Sequence, residues 1–323
     1  MDSLIFSLNS TIPIFLVMIV GWVIRRIGIV DENFATTANR YVFKVALPVL
    51  LFKDLASANF KSDFNLKFVL FCCIVTVLMF SLTWLFTEIF MKDDSQKGAF
   101  IQGSCRSSAA ILGIAFVESI YSDAGMAPLM IVAAVPLFNI FAVIILTFKA
   151  HPELHGNVAI SGDINTDKIK QALINIAKNP IIIGILLGFI SSMLGLNYPT
   201  IISKTISNLS QTATPIALIC IGASFQGRQA IKKIKPTFVA TFIKLILLPA
   251  IFVPIGIFMG FKNQELIAIL IMLASPTTVT SFVMAKAMDN DEVLSSSIVV
   301  LTTLLSSITL TGWIFILRYF SLI

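Results

Sequence analysis

The chain has 323 residues, 57% of them apolar and only 12% charged, with a mean hydropathy of +0.94. A soluble domain of this length must meet water over most of its face, so the composition excludes one. The net charge of +6 is what basic loops beside a bilayer produce, and it gives no reason to expect a nucleic-acid partner.

Apolar runs recur at the length a bilayer demands, roughly 20 residues each. Ten are read, at about 8–28, 36–57, 66–90, 98–120, 125–148, 172–195, 200–224, 236–260, 264–287 and 293–320. None alternates with period two, so a barrel is a poor alternative. The first run has Arg25 and Arg26 after it rather than a basic stretch before it. It is therefore expected to stay as a spanning helix and not to be cleaved as a signal peptide.

The fourth run, GAFIQGSCRSSAAILGIAF, gathers Gly103, Ser104, Ser107 and Ser108 around Arg106. Arg106 lies about eight residues in, roughly 12 Å at 1.5 Å per residue. A charge at that depth costs several kcal/mol unless paired or wetted, so it either marks a site or snorkels to the boundary. The fifth run holds Asn139, a polar helix contact or a ligand. The stretch 149–171 is the longest polar connection; its His151 and His155 do not follow the H-E-x-x-H order of a zinc site, and a solvated loop is expected. Gln211, Thr212 and Thr214, ahead of Pro215, read as packing and kink residues. Lys244, nine residues into the eighth run, poses the same choice as Arg106.

The ninth run, LIMLASPTTVTSFVMAKA, carries Ser275, Pro276, Thr277, Thr278, Thr280 and Ser281 in its middle. Proline lacks an N–H and clashes with the preceding turn, while Ser and Thr satisfy the groups it frees. Both the fourth and ninth helices are therefore expected to break. The plainer alternative is close helix packing through small residues.

The two halves repeat. At a shift of 167 residues Pro13 falls on Pro180, Pro48 on Pro215, Gly21 on Gly188, Gly28 on Gly195 and Ala109 on Pro276. Ten helices divide into two sets of five, and an odd number inverts the second copy in the bilayer. The fold expected is an all-α polytopic membrane protein of two inverted five-helix repeats with broken, crossing helices four and nine. It forms a single membrane domain over 1–323, with repeat one at 1–148, a cytoplasmic linker at 149–171 and repeat two at 172–323. Twelve basic residues, from Arg25 to Lys286, gather on one side against five on the other (Lys53, Lys61, Lys67, Lys262 and Arg318). The richer side is assigned to the cytoplasm of an inner-membrane protein, with both termini outside.

Acidic residues are scarce in the runs, and Asp54, Glu88 and Glu118 fall near their ends. No buried carboxylate pair of the kind a cation/proton exchanger uses is visible, so negative cargo is favoured. Cys72, Cys73, Cys105 and Cys220 lie in apolar runs with no disulfide or metal spacing. Both histidines lie in the linker, so the apolar runs hold no Ser/His or H-E-x-x-H constellation; neither an enzyme, a metal nor a bound cofactor is expected.

The stretches FKVALPVLLFKDLAS, CRSSAAILGIAF, TPIALICIGASF, KLILLPAIF and ASPTTVTSFVMAKAM, in this arrangement along the chain, resemble the auxin efflux carrier family, whose bacterial members are often labelled malate or malonate permeases. The resemblance runs along nearly the whole chain. It implies inverted five-helix repeats whose broken fourth and ninth helices cross at the substrate site. It also implies a transport part moving against a commonly homodimeric scaffold. By position, the crossing would involve Ser107, Ser108 and Ala109 with Pro276, Thr277 and Thr278. The sequence departs from the family pattern where Ser108 and Ala115 stand near its usual asparagine and proline.

The function expected is secondary transport of a small organic anion across the lipid bilayer by alternating access. Half-helix N-termini near Ser107–Ser108 and Pro276–Thr278 would bind a carboxylate. Arg106 or Lys244 would supply countercharge, and Ser104, Thr280, Ser281 and Asn139 would add polar contacts. The rival from another class is a membrane receptor that keeps the fold without transporting.

Overall fold

The computed structural model describes residues 2–56, 65–109, 117, 120–121, 125–151, 174, 177–196, 198–225 and 227–323. All regular structure among them is helical. Most of the 149–171 connection, together with Glu118 and Ala115, lies outside the described residues.

In chain order the helices are α1 (Asp2–Arg26), α2 (Glu32–Tyr41), α3 (Leu47–Ala56), α4 (Leu66–Phe90), α5 (Asp94–Cys105), α6 (Ala127–Phe148), α7 (Pro180–Met193) and α8 (Thr200–Gln211). They continue as α9 (Ala213–Ser224), α10 (Gly227–Lys232), α11 (Ile234–Phe242), α12 (Leu248–Phe258), α13 (Asn263–Ala274), α14 (Thr280–Ala287) and α15 (Glu292–Tyr319). One π-helical turn, Val42–Ala46, joins α2 to α3, and a second, Ile243–Leu247, joins α11 to α12. Among the described residues four helical stretches are long and apolar enough to cross a bilayer: Leu66–Phe90, Ala127–Phe148, Ile234–Phe258 and Glu292–Tyr319. The chain is a multi-pass membrane protein.

Side-chain caps start these helices where the sequence supplies them. Asp31 accepts the Phe34 N–H at 2.7 Å, Asn65 the Phe68 N–H at 3.1 Å, Asn179 the Ile181 N–H at 2.9 Å and Asp291 the Leu294 N–H at 2.9 Å. Asp93 opens α5 in the same way, and the hydrogen bonds it accepts from Ser95 hold its carboxyl below the usual range.

Two helix ends are built alike. At the end of α1 the Gly28 N–H donates to Arg25 O and the Ile29 N–H to Ile24 O. At the end of α7, a shift of 167 residues on, the Gly195 N–H donates to Ser192 O and the Leu196 N–H to Ser191 O. Both glycines are left-handed, φ 82° and 62°, the backbone such a cap demands and L side chains resist.

The main hydrophobic interior has two parts. One joins α4, α5, α6, α11–α13 and α15 through residues such as Phe68, Phe100, Phe138, Phe252 and Leu310. The other joins α1, α3, α7 and α9 through Met18, Leu51, Ile185 and Ile221, and reaches Phe282 and Met284 on α14.

Within the second part α1 lies on α9 and α3 on α7, each at backbone contact. A Cβ placed on Gly21 would sit 2.5 Å from Ile219 O, and one on Gly188 would sit 2.8 Å from Phe52 O. Close approach of helices in lipid needs such small residues, because packing rather than water expulsion holds them together. Gly21→Ala and Gly188→Ala are each expected to cost about 1–3 kcal/mol, since backbone cannot yield as a side-chain tip does. The thermal unfolding midpoint in detergent checks this. Gly312→Ala, where an added Cβ would meet nothing within 4 Å, is expected to leave the midpoint at or above that of the parent protein.

Candidate functional site

The chain leaves helical geometry twice in its interior. After α5 ends at Cys105, Arg106 is extended (φ −67°, ψ 139°); its N–H makes the last bond of the helix, to Gln102 O at 2.9 Å, and residues 106–108 lie outside regular helix. After α13 ends at Ala274, Ser275 is likewise extended (φ −67°, ψ 154°), and helix resumes only with α14 at Thr280. Each exposed backbone group at these breaks needs a partner, because lipid offers none.

The two breaks supply one another. The Ser108 N–H donates to Pro276 O at 2.9 Å. The Thr277 hydroxyl donates to Gly103 O at 2.6 Å, and the Thr277 N–H donates to Thr302 Oγ1 on α15 at 3.1 Å. Ser107 Oγ donates to Met272 O, and Gln102 Nε2 donates to Ser281 O at 2.9 Å. The first break forms without a proline because its freed groups find partners across the contact.

Lys244 lies behind this contact, fully buried within the second π turn. Its Nζ donates to Leu273 O at 2.6 Å, to Cys105 O at 3.3 Å and to Ser107 Oγ. Those carbonyls end α13 and α5, where helix dipoles place partial negative charge, so one ammonium serves both ends. Lys244 does not line the cavity described next.

Arg106 faces the other way. It is 2% exposed. Its Nη2 donates to Asn139 Oδ1 at 2.7 Å and Thr280 Oγ1 at 2.8 Å, and Nη1 contacts Met284 Sδ at 2.7 Å. Asn139 is itself oriented by its Nδ2, which donates to Val135 O at 2.9 Å. Arg106 Nε has no partner among the described residues, and no described carboxylate lies within ion-pair distance of the guanidinium.

Beside it is a cavity of about 170 Å³. Arg106, Ser107 and Ser108 form one wall, and Thr278, Val279 and Thr280 bring the N-terminal end of α14 to another. Asn139 and Phe138 come from α6, while Leu47, Leu51 and Asp54 come from α3. Thr214 of α9 also reaches it.

Six sequence-predicted residues thus line one cavity: Arg106, Ser107, Ser108, Asn139, Thr278 and Thr280. Pro276 and Thr277 hold the contact between breaks. Ser104 bonds back to Phe100 O at 2.8 Å within α5, and Ser281 is buried in α14 with its hydroxyl unpartnered among the described residues. Asp54, a helix-end residue by position, and Thr214, a packing residue by context, also meet the cavity; nothing in the sequence turns either toward it. Among the described residues no three of His, Cys, Asp and Glu group as a metal site.

Bilayer-length helices, together with a small, mostly apolar cavity at paired helix breaks whose wall holds Arg106, Asn139 and several hydroxyls, describe a solute-handling membrane protein. The membrane transport protein family's sequence profile matches residues 6–314, and the chain belongs to that family, the auxin efflux carriers' own. An "Uncharacterized transporter" of Methanothermobacter thermautotrophicus is 23% identical over 309 residues, covering 95% of this chain and 97% of its own. "Uncharacterized transporter YfdV" of Escherichia coli K12 is 22% identical over 322 residues, 98% and 100% of the two chains. The "Putative malonate transporter" of Rhizobium meliloti is 24% identical over 318 residues, 95% and 94%. The protein is a membrane transporter, not an enzyme.

Proposed function

We propose that the protein is a secondary carrier of small organic anions, working by alternating access around the Arg106 cavity. The carrying observation is the Arg106 guanidinium: buried, without a described carboxylate partner, and with an unpartnered Nε at a cavity wall. Its planar fork suits a carboxylate, and the α14 N-terminus at Thr280 adds positive partial charge. Arg106 is the cationic side chain in the cavity's described lining, so one full negative charge on the cargo is matched. The cargo is therefore a monocarboxylate, or a dicarboxylate holding one proton; the Rhizobium relative named for malonate is consistent with this class.

The architecture belongs to the same reading: ten spans in two inverted five-helix repeats, with 149–171 joining them on the cytoplasmic side of the inner membrane. The duplicated caps at Gly28 and Gly195 and the matched approaches of Gly21 and Gly188 support it. So does the division of the main interior into two parts that could shift against each other.

Flux in proteoliposomes tests the proposal. Labelled acetate and an aromatic acid are expected to exchange, as is malonate at a pH acidic enough for it to hold one proton, and inorganic cations are not. An inside-negative potential is expected to speed net anion exit, which it favours by about 2.3 kcal/mol per charge per 100 mV. Cation flux without carboxylate flux would overturn it.

A further inference from the structure

Away from the Arg106 cavity, one face between α1, α9 and α15 carries two hollows that share Trp22 and Phe225. The first, about 430 Å³, is walled by Met18, Ile19, Ile221, Gly222, Val300 and Leu304. The second, about 500 Å³, is polar and is lined by Arg25, Arg26, Glu32, Ser224, Lys286 and Glu292. An apolar slot thus adjoins a charged pocket at the basic-rich end of the helices, with Trp22 and Phe225 bordering both.

The charges in the pocket are unequal. Arg25 pairs with Glu32 at 3.6 Å and Lys286 with Glu292 at 2.7 Å. Arg26 stays outside these pairs: its guanidinium stacks on Trp22, 4.9 Å from the ring centroid, and among the described residues it joins no ion pair. One positive charge is left over, beside an aromatic ring of the kind that sits at headgroup depth. Basic pockets between membrane helices capture anionic headgroups.

We propose that this face binds one anionic glycerophospholipid. An acyl chain lies along Ile19, Ile221 and Leu304, and the phosphodiester meets Arg26 with Lys286 beside it. Charge complementarity selects this occupant. A zwitterionic lipid would bring an ammonium to carboxylates that are already paired, and a free phosphate would leave the apolar slot open to water or detergent. The residues share nothing with the cargo cavity, so the site stands independently of the transport reading.

Native mass spectrometry of the delipidated protein, titrated with phosphatidylglycerol or phosphatidylethanolamine, tests it. One phosphatidylglycerol per chain is expected to persist at activation energies that strip phosphatidylethanolamine. Arg26→Ala is expected to weaken retention roughly fivefold, the effect of about 1 kcal/mol per cation near a membrane surface. Leu304→Trp fills the slot from its lipid-exposed side and is expected to weaken retention comparably without touching any charge. Lys92→Ala, an exposed cation elsewhere, is expected to change nothing. Equal retention of the two lipids, equal loss with Lys92→Ala, or displacement by glycerol phosphate alone would each overturn the proposal.

Discussion

Replacing Lys244 with methionine is expected to lower stability in detergent by about 3 kcal/mol and to expose Cys105 to alkylation. The argument begins with its three acceptors, Leu273 O, Cys105 O and Ser107 Oγ. Methionine is close in volume and donates nothing, so all three lose an ammonium partner inside the bundle. A hydrogen bond to a charged group contributes about 1.5–3 kcal/mol, and a buried group left unsatisfied costs its desolvation as well. Opposing this, the substitution removes the cost of a buried cation, which is itself several kcal/mol. The first effect outweighs the second because two helix ends of like partial charge would then face each other with nothing between them. Cys105 is fully buried at the end of α5, so its alkylation, read peptide by peptide, reports loosening at the contact itself. An unchanged unfolding midpoint together with an unreactive Cys105 would show that Lys244 does not hold the breaks together.

The sequence made the long helices plain and their interruptions only partly so. Uniform apolar runs read at 66–90 and 293–320 correspond to Leu66–Phe90 and Glu292–Tyr319 within a residue at each end, because length and hydropathy alone define such spans. The break after Ala274 was visible in Pro276 and the hydroxyls around it. The break after Cys105 carries no proline; Ser107 and Ser108 hinted at it, but what sustains it comes from Pro276, Thr277 and Lys244, far off in the chain.

The π turns at Val42–Ala46 and Ile243–Leu247 were not legible, since an apolar run has the same composition whether its bonds close at four residues or five. Nor could the sequence divide labour between the two buried cations. Arg106 and Lys244 looked alike by depth; only tertiary contacts place one at a cavity wall and the other between two helix ends. Asp54 was hidden for the same reason, its position near the end of an apolar run saying nothing about which side of α3 meets the cavity.

That division of labour gives the sharpest functional expectation. Arg106→Ala is expected to cut carboxylate flux below saturation by roughly thirtyfold to several thousandfold, the equivalent of about 2–5 kcal/mol for losing one partner of a buried charge pair. Stability should move the opposite way from the Lys244 case. Arg106 carries its charge without a described carboxylate and with Nε unpartnered, so removing it relieves desolvation, while Asn139 and Thr280 keep a cavity in which water can replace the fork. The unfolding midpoint of Arg106→Ala is therefore expected at or above that of the parent protein. Arg106→Lys keeps the charge but not two parallel donors, and is expected to recover only part of the flux. The pattern to look for is a stable protein that has lost its cargo, set against a Lys244 variant that loses both. Parental flux in Arg106→Ala would remove the guanidinium from the site, and a collapse of its unfolding midpoint would make it a structural group like Lys244.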